Sequence, residues 1–312
     1  MKNECSLVIN DDFILKLKCT HCGSIGKFEE KASDTYDSML FCKNCGSFYY
    51  FRDGILSTLT KFNYGYWDTL YSKGVKGNSV QGSKLVHLVE KTLNNLPHSL
   101  LYFALVDLLR RSKTTFQVSI ELGCGTGVYS LLLKKMRIID VPILVDMSLS
   151  ALKIAQDVFE ALGEKAIFVL ADATNLPFAN KSFDLSLSGG LIEHFEGASQ
   201  RKIISEHGRI VTNVVCQFPA PTPFYWFQRG CVNVLNFGWP FGYEVPLSCS
   251  RVKQLFQMEG FGLCSNSYHD MISTLLTRAA LPFGSLTLLK RKGLINKLTA
   301  TEIVAHFVRE DS

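Results

Sequence analysis

From about Val118 the chain alternates short apolar runs with stretches whose apolar positions recur at helical spacing. The first run leads into Glu121-Leu122-Gly123-Cys124-Gly125-Thr126-Gly127, and Val128 to Met136 follows with a helical pattern. Pro142-Ile143-Leu144-Val145 is a second apolar run, ending in Asp146. Ser148 to Leu162 reads as an amphipathic helix, with a serine cap and Gly163 as its stop. Ala166 to Ala171 is continuously apolar, as a strand buried on both faces must be, and it ends in Asp172-Ala173. Phe183 to Ser188 predicts a fourth strand, running into Gly189-Gly190-Leu191-Ile192-Glu193-His194-Phe195. Ser199 to Val211 predicts a helix and Val214 to Phe218 a fifth strand. Strands alternating with helices require parallel pairing with helical crossovers on both faces, so the fold class is α/β with a doubly wound sheet.

The glycines point to a nucleotide-cofactor site, because bare backbone can turn sharply and bring its N–H groups against a ligand. Taken alone they also fit a plain strand-to-helix turn. Dinucleotide sites use G-x-G-x-x-G, but the third glycine position here is Val128. The spacing G-x-G-x-G after an acid resembles motif I of the class I S-adenosylmethionine (SAM) methyltransferases, of the type 11/25-like group. The later signals keep that family's order. Asp146-Met147 resembles its ribose-binding acid, Asp172-Ala173 its adenine-binding pair, Asn175-Leu176-Pro177-Phe178 its loop before the fourth strand, and the strand end at Ser188 its motif IV. The resemblance implies a Rossmann-like seven-stranded methyltransferase sheet, SAM as donor and S-adenosylhomocysteine (SAH) as product. It implies cofactor contacts from Glu121, Gly123, Cys124, Gly125, Gly127, Asp146, Met147, Asp172, Ala173 and Ser188, with Glu121 facing the cationic ammonium. One departure is the absent Pro-Gly-Gly turn before the fifth strand. Thr212-Asn213 is expected to make that turn, with Asn in the left-handed conformation glycine would supply.

Nearer the start of the chain, Cys19-Thr20-His21-Cys22 and Cys42-Lys43-Asn44-Cys45 form two C-x-x-C knuckles, each followed by glycine. Their spacing reads as a structural zinc ribbon, with Cys19, Cys22, Cys42 and Cys45 as ligands and His21 as a surface residue. Two disulfides and a rubredoxin-like iron site are the alternatives. The remaining cysteines are scattered and no signal peptide pattern precedes the knuckles, which favours zinc in a reducing compartment. The run from Cys42 through Cys45-Gly46, aromatics and Arg52-Asp53-Gly54-Ile55 resembles the Trm112-like zinc ribbons, with Leu56 where proline is common. That resemblance covers about the first 60 residues. It implies a β-rich module that activates or accompanies a methyltransferase, here fused to it.

A chain of 312 residues with 47% hydrophobic content accommodates two domains. The expected division is a ribbon at 1–60, a linker and N-terminal helices at 61–117, and a SAM-binding domain at 118–312. No apolar run reaches the ~18 residues that span a bilayer. The nearest, Leu100 to Leu109, contains Asp107, so a soluble, cytoplasmic protein is expected. The net charge of +5 raises the possibility of a nucleic-acid substrate. In the ribbon, however, lysines and arginines are balanced by acids. The clusters Arg110-Arg111-Lys113 and Lys290-Arg291-Lys292 read as solvated faces.

Two aromatic segments flank the expected crevice. Tyr64-Gly65-Tyr66-Trp67-Asp68 is either a lid over the site or an ordinary helix start. Residues 218–247 form an expected cap, rich in Phe224, Tyr225, Trp226, Phe227, Phe237, Trp239, Phe241 and Tyr243. Those rings either line an acceptor pocket or form the cap's own core. Pro219, Pro221, Pro223 and Pro240 argue against a regular helix or central strand near the start of the cap. Methyl transfer needs alignment, and a base only where the acceptor carries a proton. Glu193 and His194 are the candidates, the alternative for His194 being a loop cap. The expected activity is methylation of a small apolar or aromatic acceptor. An RNA or protein methyltransferase that docks through the ribbon is the alternative. A non-catalytic scaffold is a third reading, against which Glu121, Asp146 and Asp172 weigh.

Overall fold

A computed structural model describes residues 11–59, 65–75, 84, 86–87, 90, 100–112, 114–234, 242–269 and 300–310. After a short helix α1 (Asp11–Lys16), four strands follow: β1 (Phe28–Lys31), β2 (Ser38–Cys42), β3 (Phe48–Arg52) and β4 (Ile55–Ser57). They pair antiparallel in sequence order. The β3–β4 turn is Asp53-Gly54, with φ of 54° and 73°, the left-handed pair that a tight hairpin requires.

Helices α2 (Tyr66–Val75) and α3 (Leu100–Ser112) lead to the alternating region. It runs β5 (Phe116–Leu122), α4 (Val128–Lys135), β6 (Ile139–Asp146), α5 (Leu149–Ala161), β7 (Ile167–Leu170), β8 (Leu185–Gly189), α6 (Gly197–Ile210) and β9 (Asn213–Pro219). Then come α7 (Pro223–Val234), α8 (Cys249–Gln257), β10 (Phe261–His269) and β11 (Glu302–Arg309). The sheet order is β1-β2-β3-β4-β7-β6-β5-β8-β9-β11-β10, parallel from β4 through β9, with β11 and β10 antiparallel at the far edge. Side chains alternate across it. Ile143, Val145, Ile167 and Val169 join the core that carries α6 and α8, while Leu144, Phe168 and Leu170 join the core that carries α3, α4 and α5. Helices therefore cover both faces. The Ser148 hydroxyl accepts the Ala151 N–H at 3.1 Å and caps α5, and Gly163 ends it at φ 67°.

The ribbon is part of this sheet. Ile55, Leu56 and Ser57 pair in parallel with Phe168, Val169 and Leu170, so β4 adds a strand at the β7 edge. Phe13, Leu40, Tyr49 and Leu56 share a buried cluster with Ile120 and Val169. The loop Asn175–Ala179 is the seat for α1. Lys18 N–H donates to the Pro177 carbonyl at 3.0 Å, and Ala179 N–H to that of Lys16 at 2.8 Å. Phe178 lies edge-on to both Phe13 and Phe183. From the other side, Arg209 donates to the Phe178 and Leu176 carbonyls.

Two local expectations are corrected. The turn into β9 uses no left-handed residue: Val211 is extended at φ −138°, and Asn213 already lies in the strand. The prolines do not keep regular structure from the start of the cap. Pro219 ends β9, where no further ladder donor is needed, and Pro223 opens α7, where its fixed φ suits the first helical turn.

Candidate functional site

Gly123, Gly125 and Gly127 all have positive φ, 62°, 52° and 68°, which fixes the path from β5 into α4. The approaches around them are close. A Cβ on Gly123 would lie 2.7 Å from Leu191 Cδ1, and one on Gly125 would lie 2.7 Å from the Tyr71 hydroxyl. Gly127 is the N-cap of α4 and packs against Leu144 and Phe159, away from the cleft that the other two border.

Three acids stand at the carboxyl ends of β5, β6 and β7. Glu121 is buried, and its Oε2 accepts both the Ser130 N–H (3.1 Å) and the Ser130 hydroxyl (2.5 Å). Burial raises its pKa from 4.5 to about 7, and the charge of Asp146 adds to the rise. Asp146 accepts Gly125 N–H on Oδ2 and Ser148 N–H on Oδ1, both at 2.8 Å. Burial raises its pKa too, although these backbone donors oppose the shift. Asp172 accepts the Thr174 N–H at 2.8 Å. All three line one cleft of about 930 Å³, counting its open mouth, together with Gly123, Cys124, Gly125, Met147 and Ala173.

Helix α2 closes one side. Trp67 and Tyr71, one helical turn apart, both line the cleft, while Tyr66 points outward and is 52% exposed. Asp68 holds the helix in place: its Oδ1 accepts the Ser148 hydroxyl at 2.9 Å and the Ser150 N–H at 3.1 Å. Opposite, His194 lines the cleft in a 3₁₀ turn, with its ring 4.9 Å from that of Trp67, edge-on. Tyr129 borders the same space and packs on Gly189, where an added Cβ would lie 2.4 Å from Tyr129 Cε2.

Besides Gly127, two expected site residues lie off the cleft. Ser188 is buried and directs its hydroxyl at Cys216 Sγ, 3.3 Å away, and the neighbouring Gly189 and Gly190 form the cleft edge instead. Glu193 is 2% exposed and lies behind the cleft wall, with its pKa pushed well up by burial and by the charges of Glu302 and Glu244. Within the cap, Tyr225 is buried while Trp226 and Phe227 are exposed on the outside of α7. Phe237, Trp239 and Phe241 lie outside the described residues.

The four knuckle cysteines converge with all ligand atoms within 4.8 Å of one another. Cys19 Sγ is 3.7 Å from Cys45 Sγ, and Cys22 Sγ is 3.6 Å from Cys42 Sγ. A disulfide requires about 2.05 Å. Sulfurs about 2.3 Å from a tetrahedral centre stand about 3.8 Å apart, so the cluster fits a zinc ribbon. The knuckles repeat each other: Gly23 N–H reaches the Cys19 carbonyl and Gly46 N–H the Cys42 carbonyl, both at 2.9 Å.

Residues 120–213 match a family model described as a methyltransferase domain. The match spans less than half of the chain, and over that stretch the chain is similar to methyltransferase domains. A chain of the complex between the Haloferax volcanii Trm112 methyltransferase activator and a methyltransferase shares the fold at a TM-score of 0.51 and 13% identity, over 78% of this chain and 97% of that one. Magnesium protoporphyrin IX methyltransferase (ChlM) from Synechocystis PCC 6803, with SAH bound, does so at 0.50 and 13% identity, over 79% and 96%. At these identities the likeness is one of fold. No curated protein sequence matches the chain. Among the described residues, no helix is long and apolar enough to cross a membrane.

The cleft also draws on residues outside the sequence motifs. Tyr71 follows Trp67 by four positions, a spacing that places both on one helix face, and it could have been found that way. Tyr129, Leu191 and Phe195 carried no such signal, because only the fold brings them to the cleft.

Proposed function

We propose that this chain moves the methyl group of SAM to a small acceptor with an apolar or aromatic body, releasing SAH. The observation that carries the reading is the set of carboxylates Glu121, Asp146 and Asp172, at the ends of three adjacent strands around left-handed glycines. These groups suit the donor. Glu121 matches an ammonium, Asp146 beside Met147 the ribose hydroxyls, and Asp172-Ala173 an exocyclic amine. The bare backbone at Gly123 and Gly125 admits close approach.

Bound there, SAM supplies a methyl group already activated on a sulfonium. The protein's part is alignment and exclusion of water, and Trp67, Leu191 and Phe195 supply the walls. His194 takes the acceptor's proton where the methylated atom carries one. Its Nδ1 lies 2.6 Å from the Tyr243 carbonyl oxygen, which can only accept, so Nδ1 carries the hydrogen and Nε2 is left as the base. Glu193, turned behind the wall, is not that base.

Cys19, Cys22, Cys42 and Cys45 hold Zn²⁺ in this reading, a closed site with a structural role. The ribbon acts on the catalytic sheet in cis, as an activator fused to its enzyme. Thr58, just past β4, donates its N–H (3.1 Å) and hydroxyl (3.3 Å) to the carbonyl of Leu170, two residues before Asp172.

Calorimetry with SAH, followed by incubation of the full chain with methyl-labelled SAM and cell extract, tests the reading. SAH binding and label in the organic fraction are expected. No SAH binding would leave only a scaffold, and label in RNA or protein would replace the small acceptor.

A further inference from the structure

Behind the Gly189-Gly190 edge of the cleft stands a set of acids that methyl transfer leaves unused. Glu193 is 2% exposed and Glu244 7% exposed, and Glu302 opens β11 opposite Pro219. They sense one another. Glu244 and Glu302 both raise the pKa of Glu193, and burial together with Glu244 pushes Glu302 to about 8. The ion pairs of the described residues include none of the three.

The hydrogen bonds that do exist leave two buried oxygens open. Glu244 Oε1 accepts the Tyr225 hydroxyl at 2.6 Å, and the Gln217 side chain donates to Glu302. Glu193 Oε2 has no partner, and neither has Gln217 Oε1, on a side chain 5% exposed. Gln217 is not acidic, so it is an independent sign. Gln217 Oε1 is an open acceptor, Glu193 Oε2 is one when that acid is ionised, and burying unpaired acceptors costs free energy that a charged donor would offset. Glu193 is the member that approaches an edge of the cleft: its Oε1 lies 3.7 Å from where a Cβ on Gly190 would sit, and Gly190 lines the cleft.

A point-like metal ion does not match this arrangement. Among the described residues, the knuckle cysteines are the one group of three or more ligands whose atoms converge within 4.8 Å. Spread acceptors match a cation with several N–H donors.

We propose that Glu193, Glu244, Glu302 and Gln217 recognise a positively charged, hydrogen-bond-donating nitrogen group, an ammonium or amidinium, on the methyl acceptor. This rests on the proposed methyl transfer in the cleft and narrows its acceptor to a basic, nitrogen-bearing molecule.

The test is calorimetry on the full chain saturated with SAH, using benzylamine and its neutral counterpart benzyl alcohol as probes. Benzylamine is expected to bind roughly tenfold tighter or more, the worth of one charge-assisted hydrogen bond. Glu193→Gln and Glu302→Gln should each reduce that preference to about twofold, with SAH affinity unchanged. Should Glu193→Gln fail to fold, Glu302→Gln on the other side of the cluster gives the same readout. Equal binding of the two probes, no binding of benzylamine, or a preference that survives substitution overturns the proposal. So does displacement of benzylamine by millimolar Mg²⁺, which would make the cluster a metal site. Loss of SAH binding by the unaltered chain would instead remove the donor reading beneath it.

Discussion

The Nδ1 atom of His194 lies 2.6 Å from the carbonyl oxygen of Tyr243, and that contact sets the ring's tautomer. The Trp67 ring, 4.9 Å away, fixes the plane of the imidazole. Nε2 is left as the ring's proton acceptor, on a residue that lines the cleft. Replacing His194 with Gln should lower kcat by roughly 10²–10⁴-fold if the acceptor must lose a proton. SAH affinity should stay within about twofold, because no donor-side carboxylate changes. Turnover at the original rate would remove the base assignment.

Glu121 provides a pH signature. Its folded pKa, about 7, is above the ordinary 4.5, because burial disfavours the charge. The folded state thus holds the proton more tightly than the unfolded chain. The contribution to stability is fully present below pH 4.5 and is lost as pH rises toward 7, by an amount on the order of 3 kcal/mol. Glu302 and Glu193 slope the same way, so the informative quantity is a difference. Melting curves from pH 4.5 to 8 should show the unaltered chain losing more stability than Glu121→Gln. Parallel curves would mean that Glu121 titrates normally.

Most of the half that carries the cleft was legible because its signals are local. Gly123 to Gly127, Asp146, Asp172 and the capping Ser148 follow from strand ends and turns that a run of sequence specifies. What escaped depends on long-range pairing. Nothing in Ile55-Leu56-Ser57 tells whether that strand ends a free ribbon or joins β7, because the partner lies more than a hundred residues away. Glu193 looked exposed to chemistry because it adjoins His194. In a 3₁₀ turn, consecutive side chains point in different directions, and the fold turned this one inward. The prolines at 219 and 223 misled because their effect depends on where an element ends or begins.

Asp68 ties α2 to the start of α5 through the Ser148 hydroxyl and the Ser150 N–H. The same helix brings Trp67 and Tyr71 to the cleft, so its docking and ligand binding are coupled. Asp68→Ala removes both bonds and leaves donors uncompensated at about 1–3 kcal/mol. SAH binding measured by calorimetry should weaken roughly tenfold. Unchanged affinity would mean that α2 packs beside the site without serving it.

The junction between β4 and β7 makes a prediction about metal removal. If Cys19, Cys22, Cys42 and Cys45 hold zinc, a chelator deprives the ribbon of most of its local stability. A ribbon that were a separate bead would then melt alone, leaving the rest of the chain's transition in place. Here Leu56 and Tyr49 share one buried cluster with Ile120 and Val169, and β4 contributes a strand to the common sheet. The ribbon and the parallel sheet should unfold together. Calorimetric scans are expected to show one transition, lowered by roughly 10 °C or more on chelation. SAH affinity should fall as well, because Thr58 no longer pins the Leu170 end of β7 beside Asp172. Two resolved transitions with SAH binding intact would show that the ribbon is only tethered to its enzyme.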